Sequence, residues 1–262
     1  MGQARIRRQR FFTEHPNCCF CGGDVAATTQ DHQPGRLFFD DRKWPKDFVF
    51  PACVECNRLS RDSEKLLRVL AVPDGQDDAN LLKWKRTLQH INKTRPELIP
   101  SLFSSTREIR GILRDQGIEK PDGVLLRDIP IMKLDPTLWD KHFETVGRKL
   151  LLALHYQCFK KPLSKDGELW LLYSTNAQHH ELTEIFANLA NNLAVPIAQG
   201  DRIGNQFSLR WGMAPDAAVA AWAVQLHMRV FFFGVSLDDG KWLKNSDKYF
   251  IGERFRCFGV NG

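Results

Sequence analysis

Two Cys-x-x-Cys pairs, Cys18/Cys21 and Cys53/Cys56, carry the most specific chemistry in this 262-residue chain. Two intervening residues let a tight turn aim both sulfurs at one ion, so each pair is a two-thiolate claw. Together the claws make a closed four-cysteine site for structural Zn2+. A redox Cys-x-x-Cys would be single and set in a βαβ pattern, which residues 1–72 lack. Cys19 breaks the spacing and is left out of the ligand set. The chain has seven cysteines, an odd number, with five of them between Cys18 and Cys56. That distribution argues for metal ligation and against a disulfide framework.

The gap between the claws is too long for a compact zinc ribbon, so the ion would clamp the ends of an insert. Within the insert stands Asp31-His32-Gln33-Pro34, and Asn57 follows the second claw directly. An isolated Asp-His pair is usually a surface turn, and an Asn after a claw can be a plain helix cap. Their placement around two claws gives them a second meaning.

The run Cys18 to Gly22 (Cys-x-Phe-Cys-Gly), Asp31 to Pro34, and Pro51 to Asn57 followed by Ser60, Asp62 and Glu64 resembles the HNH (ββα-metal) endonucleases of bacteria and phages with a four-cysteine zinc site. The likeness spans about 50 residues, and nothing after Pro73 contributes to it. It implies a β-hairpin followed by a helix around one catalytic divalent cation, Mg2+ or a similar ion. Asp31 and Asn57 would ligate that cation through their oxygens, and His32 would be the general base that takes a proton from the attacking water. Arg36 or Arg58 would hold a neighbouring phosphate oxygen. The sequence departs from many members in having no Asn between Asp31 and Cys53, which leaves the loop-fixing role to Asp40, Asp41 or a backbone group. The implied function is metal-dependent hydrolysis of phosphodiester bonds in nucleic acid, DNA above RNA. The alternative is a zinc-stabilised nucleic-acid-binding protein with a vestigial nuclease site.

The elements that position these residues follow from pattern. Residues 1–17, with Arg5, Arg7, Arg8 and Arg10, read as a basic, weakly structured arm, and residues 18–72 as the small zinc-stapled module. In the latter, Leu59, Leu66, Leu67, Leu70 and Ala71 predict a helix over 57–72, with Ser60 capping its start. Pro73-Asp74-Gly75 is a strong breaker and marks a domain boundary. Helices are predicted over 77–94 and 104–115, in a basic linker region (73–135) that includes Lys83, Lys85 and Arg86. These charges fit either solvated helix faces or a phosphate-tracking surface.

Beyond Pro136 the periodicity predicts a helix through Trp139 to Leu154, a strand at 169–173, a helix at 177–194, a strand at 206–211 and an aromatic strand at 224–235. The whole is an α+β protein, with the small module followed by a larger α+β domain over 73–262. His179-His180 cannot readily share one ion on a helix, because adjacent side chains diverge by about 100°. Arg210, Trp211 and Phe231 to Phe233 could stack bases, but an aromatic strand is more often core.

The net charge of +6 arises within the first 160 residues, which points to a polyanionic partner there. No apolar run approaches the roughly 20 residues of a membrane span, and no secretory signal precedes the basic arm. A cytoplasmic protein is expected.

Overall fold

A computed structural model describes residues 2–40, 43–72, 78–120, 123, 125–126, 131–133, 136–175, 184, 197–214, 219–227, 229–238 and 253–258. It mixes helix and sheet, in agreement with the α+β class. The chain divides into two compact units, one built from Met1–Pro73 with His142–Gly262, the other from Asp74–Lys141. The sequence reading placed a break near Pro73 but grouped everything after it together. The structure instead returns the C-terminal sheet to the cysteine-rich segment, through contacts distant in sequence that no local pattern announces.

The first unit opens with α1 (Gln3–Glu14) where the sequence suggested a weakly structured arm. Strands β1 (Thr29–His32) and β2 (Val49–Ala52) pair antiparallel, with Asp31 opposite Phe50 and His32 opposite Val49. Two helices follow, α2 (Val54–Leu59) and α3 (Arg61–Ala71), in place of the single helix predicted from 57. Cys53 caps α2 with its sulfur. Ser60 stands between the two helices but does not cap α3 with its side chain; its hydroxyl donates to Glu64 Oε1 at 2.6 Å instead.

Among the described residues this unit also contains a six-stranded antiparallel sheet. Its order is β4 (Ile197–Ile203), β5 (Phe207–Ala214), β6 (Val219–Leu226), β7 (Val230–Leu237), β3 (Glu168–Thr175) and β8 (Glu253–Phe255). The predicted aromatic strand at 224–235 is in fact the β6–β7 hairpin, turned at His227 with φ of 53°. All eight residues of β7 are buried. A strand covered on both faces loses the alternation that would mark its ends, which is why two strands read as one. The predicted helix at 177–194, including His179 and His180, lies outside the described residues.

Helix α7 (Pro136–Phe159) lies on this sheet from His142 onward. Close approach is made possible by two glycines. A methyl at Gly147 would come within 2.8 Å of Leu171 and Phe232, and one at Gly234 within 2.2 Å of Leu151. One turn before Gly147, Phe143 stacks on Tyr173 at 4.8 Å. Further along, His155 is fully buried and shares a 2.7 Å hydrogen bond between its Nδ1 and Ser236 Oγ. The loop after β1 rests on the same sheet, with Phe39 and Phe48 packed on Phe207 and His227 Nε2 bonded to Phe38 O at 2.7 Å.

The second unit is helical. It contains α4 (Asp78–Thr94), α5 (Ile99–Leu102) and α6 (Thr106–Asp115), and α6 begins with a capping box between Ser105 and Glu108. Trp84 of α4 meets Phe103 edge-on at 6.0 Å. The two predicted helices of this region are therefore present. Among the described residues no helix is long and apolar enough to cross a membrane.

Burial lowers the His155 imidazolium to about 4 from the ordinary 6.5. A histidine depressed in the folded state contributes stability that is complete above the unfolded value and is lost as pH falls through the folded one. Stability should therefore decline as pH drops from about 6.5 toward 4, and His155→Gln should flatten that decline in denaturant titrations run at a series of pH values.

Candidate metal centre and the adjoining polar site

The sulfurs of Cys18, Cys21, Cys53 and Cys56 lie within 4.8 Å of one another, and all four residues are buried. The first claw is a knuckle in which Cys18 N donates to Val25 O at 2.9 Å and Gly23 N to Cys18 O at 3.1 Å. Gly22 and Gly23 turn it at φ of 68° and 83°, a left-handed conformation that side chains disfavour. The second claw opens α2. In each claw a backbone N–H points at a sulfur, from Phe20 to Cys18 Sγ and from Cys56 to Cys53 Sγ, both at 3.4 Å. Cys19 N donates to Pro51 O at 3.0 Å, which stitches the first claw to the strand leading into the second.

These thiols titrate as a group. The Cys56 thiol donates to Cys18 and holds it down at about 5, while burial and the Cys18 charge push Cys21 up to about 12. Cys56 is raised by its bond to Cys18 and by burial. A negative charge on Cys18 thus suppresses ionisation of Cys21 and Cys56, and a cation would relieve that repulsion. Four soft thiolates at this spacing could hold a metal ion such as zinc, for which a tetrahedron of about 2.3 Å bonds is the preferred arrangement. The geometry selects the same four residues as the spacing did. Cys19 is fully buried yet outside the cluster.

Beside the cluster, Asp31 and His32 occupy the end of β1 and Asn57 lies on α2. Asn57 Nδ2 donates to Thr29 Oγ1 at 2.9 Å and Gln30 O at 3.2 Å, so the helix is tied to the strand just before Asp31. His32 is half-buried, with its Nε2 hydrogen-bonded to Arg36 and its ring edge-on to Trp44 at 6.4 Å. The Arg36 guanidinium also lies 4.4 Å from the Trp44 ring centre. Burial, and then the Arg36 charge, lower the His32 imidazolium to about 4, so the ring is neutral at neutral pH.

Asp31 turns inward. Its Oδ2 pairs with Lys149 Nζ at 2.7 Å, and the lysine side chain is only 1% exposed. Lys149 also donates to Ser60 Oγ at 2.9 Å and to Asn57 O at 3.3 Å, and sits 5.3 Å from the Phe20 ring centre inside the first claw. Ser60 passes the chain on to Glu64, and Gln33 Nε2 donates to Glu64 at 3.4 Å. Gly35 leaves room for that carboxylate, since a methyl there would meet Glu64 Oε2 at 2.2 Å. Burial raises the Asp31 and Glu64 carboxyls, and in each case the nearby Lys149 charge opposes it most.

Sequence reasoning missed Lys149 altogether. It stands amid the leucines of α7, on the buried side of the helix, and a charge at an apolar position of the repeat was the only local signal. Asp40 pairs with Arg68 at 3.3 Å and anchors to Gln206 through its backbone N–H, while Asp41 is outside the described residues. Arg36 and Arg58 are exposed on the first unit; Lys83, Lys85 and Arg86 lie on α4 of the second, with Lys85 and Arg86 exposed and Lys83 partly so. Arg210 is exposed and Trp211 half-buried on β5, whereas Phe231 to Phe233 belong to the core. No protein-family model, curated protein or solved structure matches this chain.

Purified protein should carry one zinc per chain by elemental analysis, and Cys56→Ser should release it. Chelation should lower the unfolding temperature of the whole first unit, because the claws and the sheet share it. Lys149→Met should cost about 3–5 kcal/mol in denaturant unfolding, since it strands buried carboxylates without their cation. Adding Asp31→Asn to that variant should recover part of the loss.

Proposed function

We propose that the hairpin of β1 and β2 with helix α2 is a nuclease module of the HNH type that hydrolyses phosphodiester bonds in nucleic acid, DNA in preference to RNA. The observation that carries this reading is the convergence of three candidate residues on one small frame. Asp31 and His32 end a strand whose partner runs through Cys53 into the helix bearing Asn57, and the Asn57 side chain is bonded back to that strand.

His32 is suited to the base role because its neutral ring carries a lone pair on Nε2, the atom to which Arg36 donates. As phosphate enters, Arg36 transfers its hydrogen bonds to a phosphate oxygen, a stronger charge-assisted partner, and frees Nε2 to take a proton from water. Trp44 keeps the guanidinium close during the exchange through its ring face. Asp31 and the Asn57 amide oxygen are the hard oxygen donors that would hold Mg2+ or a similar cation, which when bound supplies charge neutralisation for the leaving oxygen. The four cysteines have a separate, structural role.

A second reading is favoured by Lys149. Its ammonium already compensates Asp31 at 2.7 Å and repels any further cation nearby. On this reading the module is a zinc-stabilised nucleic-acid binder whose cutting residues are vestigial.

Plasmid nicking with Mg2+, Mn2+ or Ni2+ separates the two. A nuclease should nick supercoiled plasmid in a metal-dependent way and lose about 100-fold or more of its rate in His32→Ala, with zinc content unchanged. Absence of nicking by zinc-loaded protein that still binds DNA would establish the second reading.

A further inference from the structure

Helix α1 is unusual in burying no residue at all, although it is 12 residues long. A helix of that length is marginal alone in water, and a polar one cannot borrow stability from a hydrophobic face. This one is fastened along a single edge. Phe11 packs on His15 with ring centres 4.8 Å apart, and His15 Nδ1 is bonded to Tyr156 Oη at 2.8 Å. Arg8 Nη2 donates to Thr28 O at 3.1 Å. Thr28 precedes β1, so the helix is fixed beside the strand that ends in Asp31 and His32.

With about 100° between successive residues, the side chains sort into four edges. Phe11, Phe12 and His15 form the side held against the protein, together with Arg8, whose guanidinium reaches Thr28 O and lies 5.6 Å from the Phe12 ring centre. Ile6, Gln9 and Thr13 form the opposite, exposed edge. Arg5 lies along one flank of that edge and Arg7 and Arg10 along the other, all three exposed. The helix has a single acidic residue, Glu14, paired with Arg10 at 2.7 Å.

Cations on both flanks of a rod suit a partner with anions on two sides. The major groove of duplex DNA is about 12 Å wide, admits one α-helix and is walled by two phosphate strands. An anionic membrane would instead require a continuous apolar face between the basic flanks, and here that edge carries Gln9 and Thr13 with Ile6 as its one apolar residue. A single strand would require exposed aromatic platforms, and Phe11 and Phe12 are half-buried toward the protein.

We propose that α1 is a DNA-docking helix that lies in the major groove, with Arg5 on the phosphates of one strand and Arg7 and Arg10 on those of the other. The proposal rests on the reading that nucleic acid is the substrate and names the element that receives it. Docking there brings the duplex to the side of β1, where the candidate base stands.

The test is fluorescence anisotropy of a labelled mixed-sequence duplex of roughly 20 base pairs with the zinc-loaded full chain, without added Mg2+, across a salt series. That length covers about two turns of groove, enough for one helix and its flanking contacts. The variants are Arg5/Arg7/Arg10→Ala and the same positions →Lys; all three sites are exposed, none bonds the helix to the rest of the protein in the way Arg8 does, and both replacements are good helix formers. The alanine variant should bind at least about tenfold more weakly, and its plot of log affinity against log salt should lose about two to three units of slope, near 0.9 for each phosphate contact. The lysine variant should retain most of the affinity. Unchanged affinity and slope would overturn the proposal, as would a loss confined to single-stranded DNA or to anionic phosphatidylserine vesicles. A protein that never nicks plasmid but shows the expected loss of binding sinks the nuclease reading and leaves the docking helix standing. Undiminished nicking at unchanged KM by the alanine variant does the reverse.

Discussion

Four sulfurs gathered within 4.8 Å hold two distant stretches of chain at one point. Everything in the candidate site hangs from that closure. The first claw is hydrogen-bonded to the end of β2, the second caps α2, and the hairpin that carries Asp31 and His32 runs between them. A charge on Cys18 suppresses ionisation of Cys21 and Cys56, so a cation at the centre would complete the closure.

The second support comes from α7. Lys149 reaches out of that helix to bind Asp31, Ser60 and the Asn57 carbonyl at once, against the Phe20 ring of the first claw. A buried charge of this kind costs desolvation and is tolerated because every neighbour answers it with an oxygen or a ring face. The loop after β1 adds Phe39 and Phe48 on Phe207. Hairpin, claws and sheet therefore share one interior. A module that would be a bead on a string from its sequence is instead part of a larger unit.

That arrangement bears on chemistry. In the proposed nuclease the same ammonium that fixes Asp31 would compete with a divalent cation for it, so stability of the frame and strength of a catalytic metal site would pull in opposite directions. His32 feels a related conflict. Arg36 and burial keep its ring neutral, which a base requires, while the Arg36 bond covers the lone pair that the base must use. On the proposed reading, an arriving phosphate would relieve both the arginine and the histidine, and α1 would offer it a basic path of approach.

The sequence by itself determined the four-cysteine cluster that could hold a metal ion, because Cys-x-x-Cys is a local geometry and two copies of it define a site without reference to the rest of the fold. It also determined α4, α6, most of α7, β3 and β5, whose apolar periodicity or caps are legible within a few turns. It did not disclose α1, which has no hydrophobic stripe to read, or the break between α2 and α3, where Ser60 is drawn away by Glu64 and Lys149. Nor did it separate β6 from β7, since strands buried on both faces carry no alternation. Only the tertiary structure decided that the C-terminal sheet joins the cysteine module and that Lys149 meets Asp31. Those two residues are 118 positions apart in the chain, and a contact of that reach is set by how whole elements pack, which no window of sequence contains.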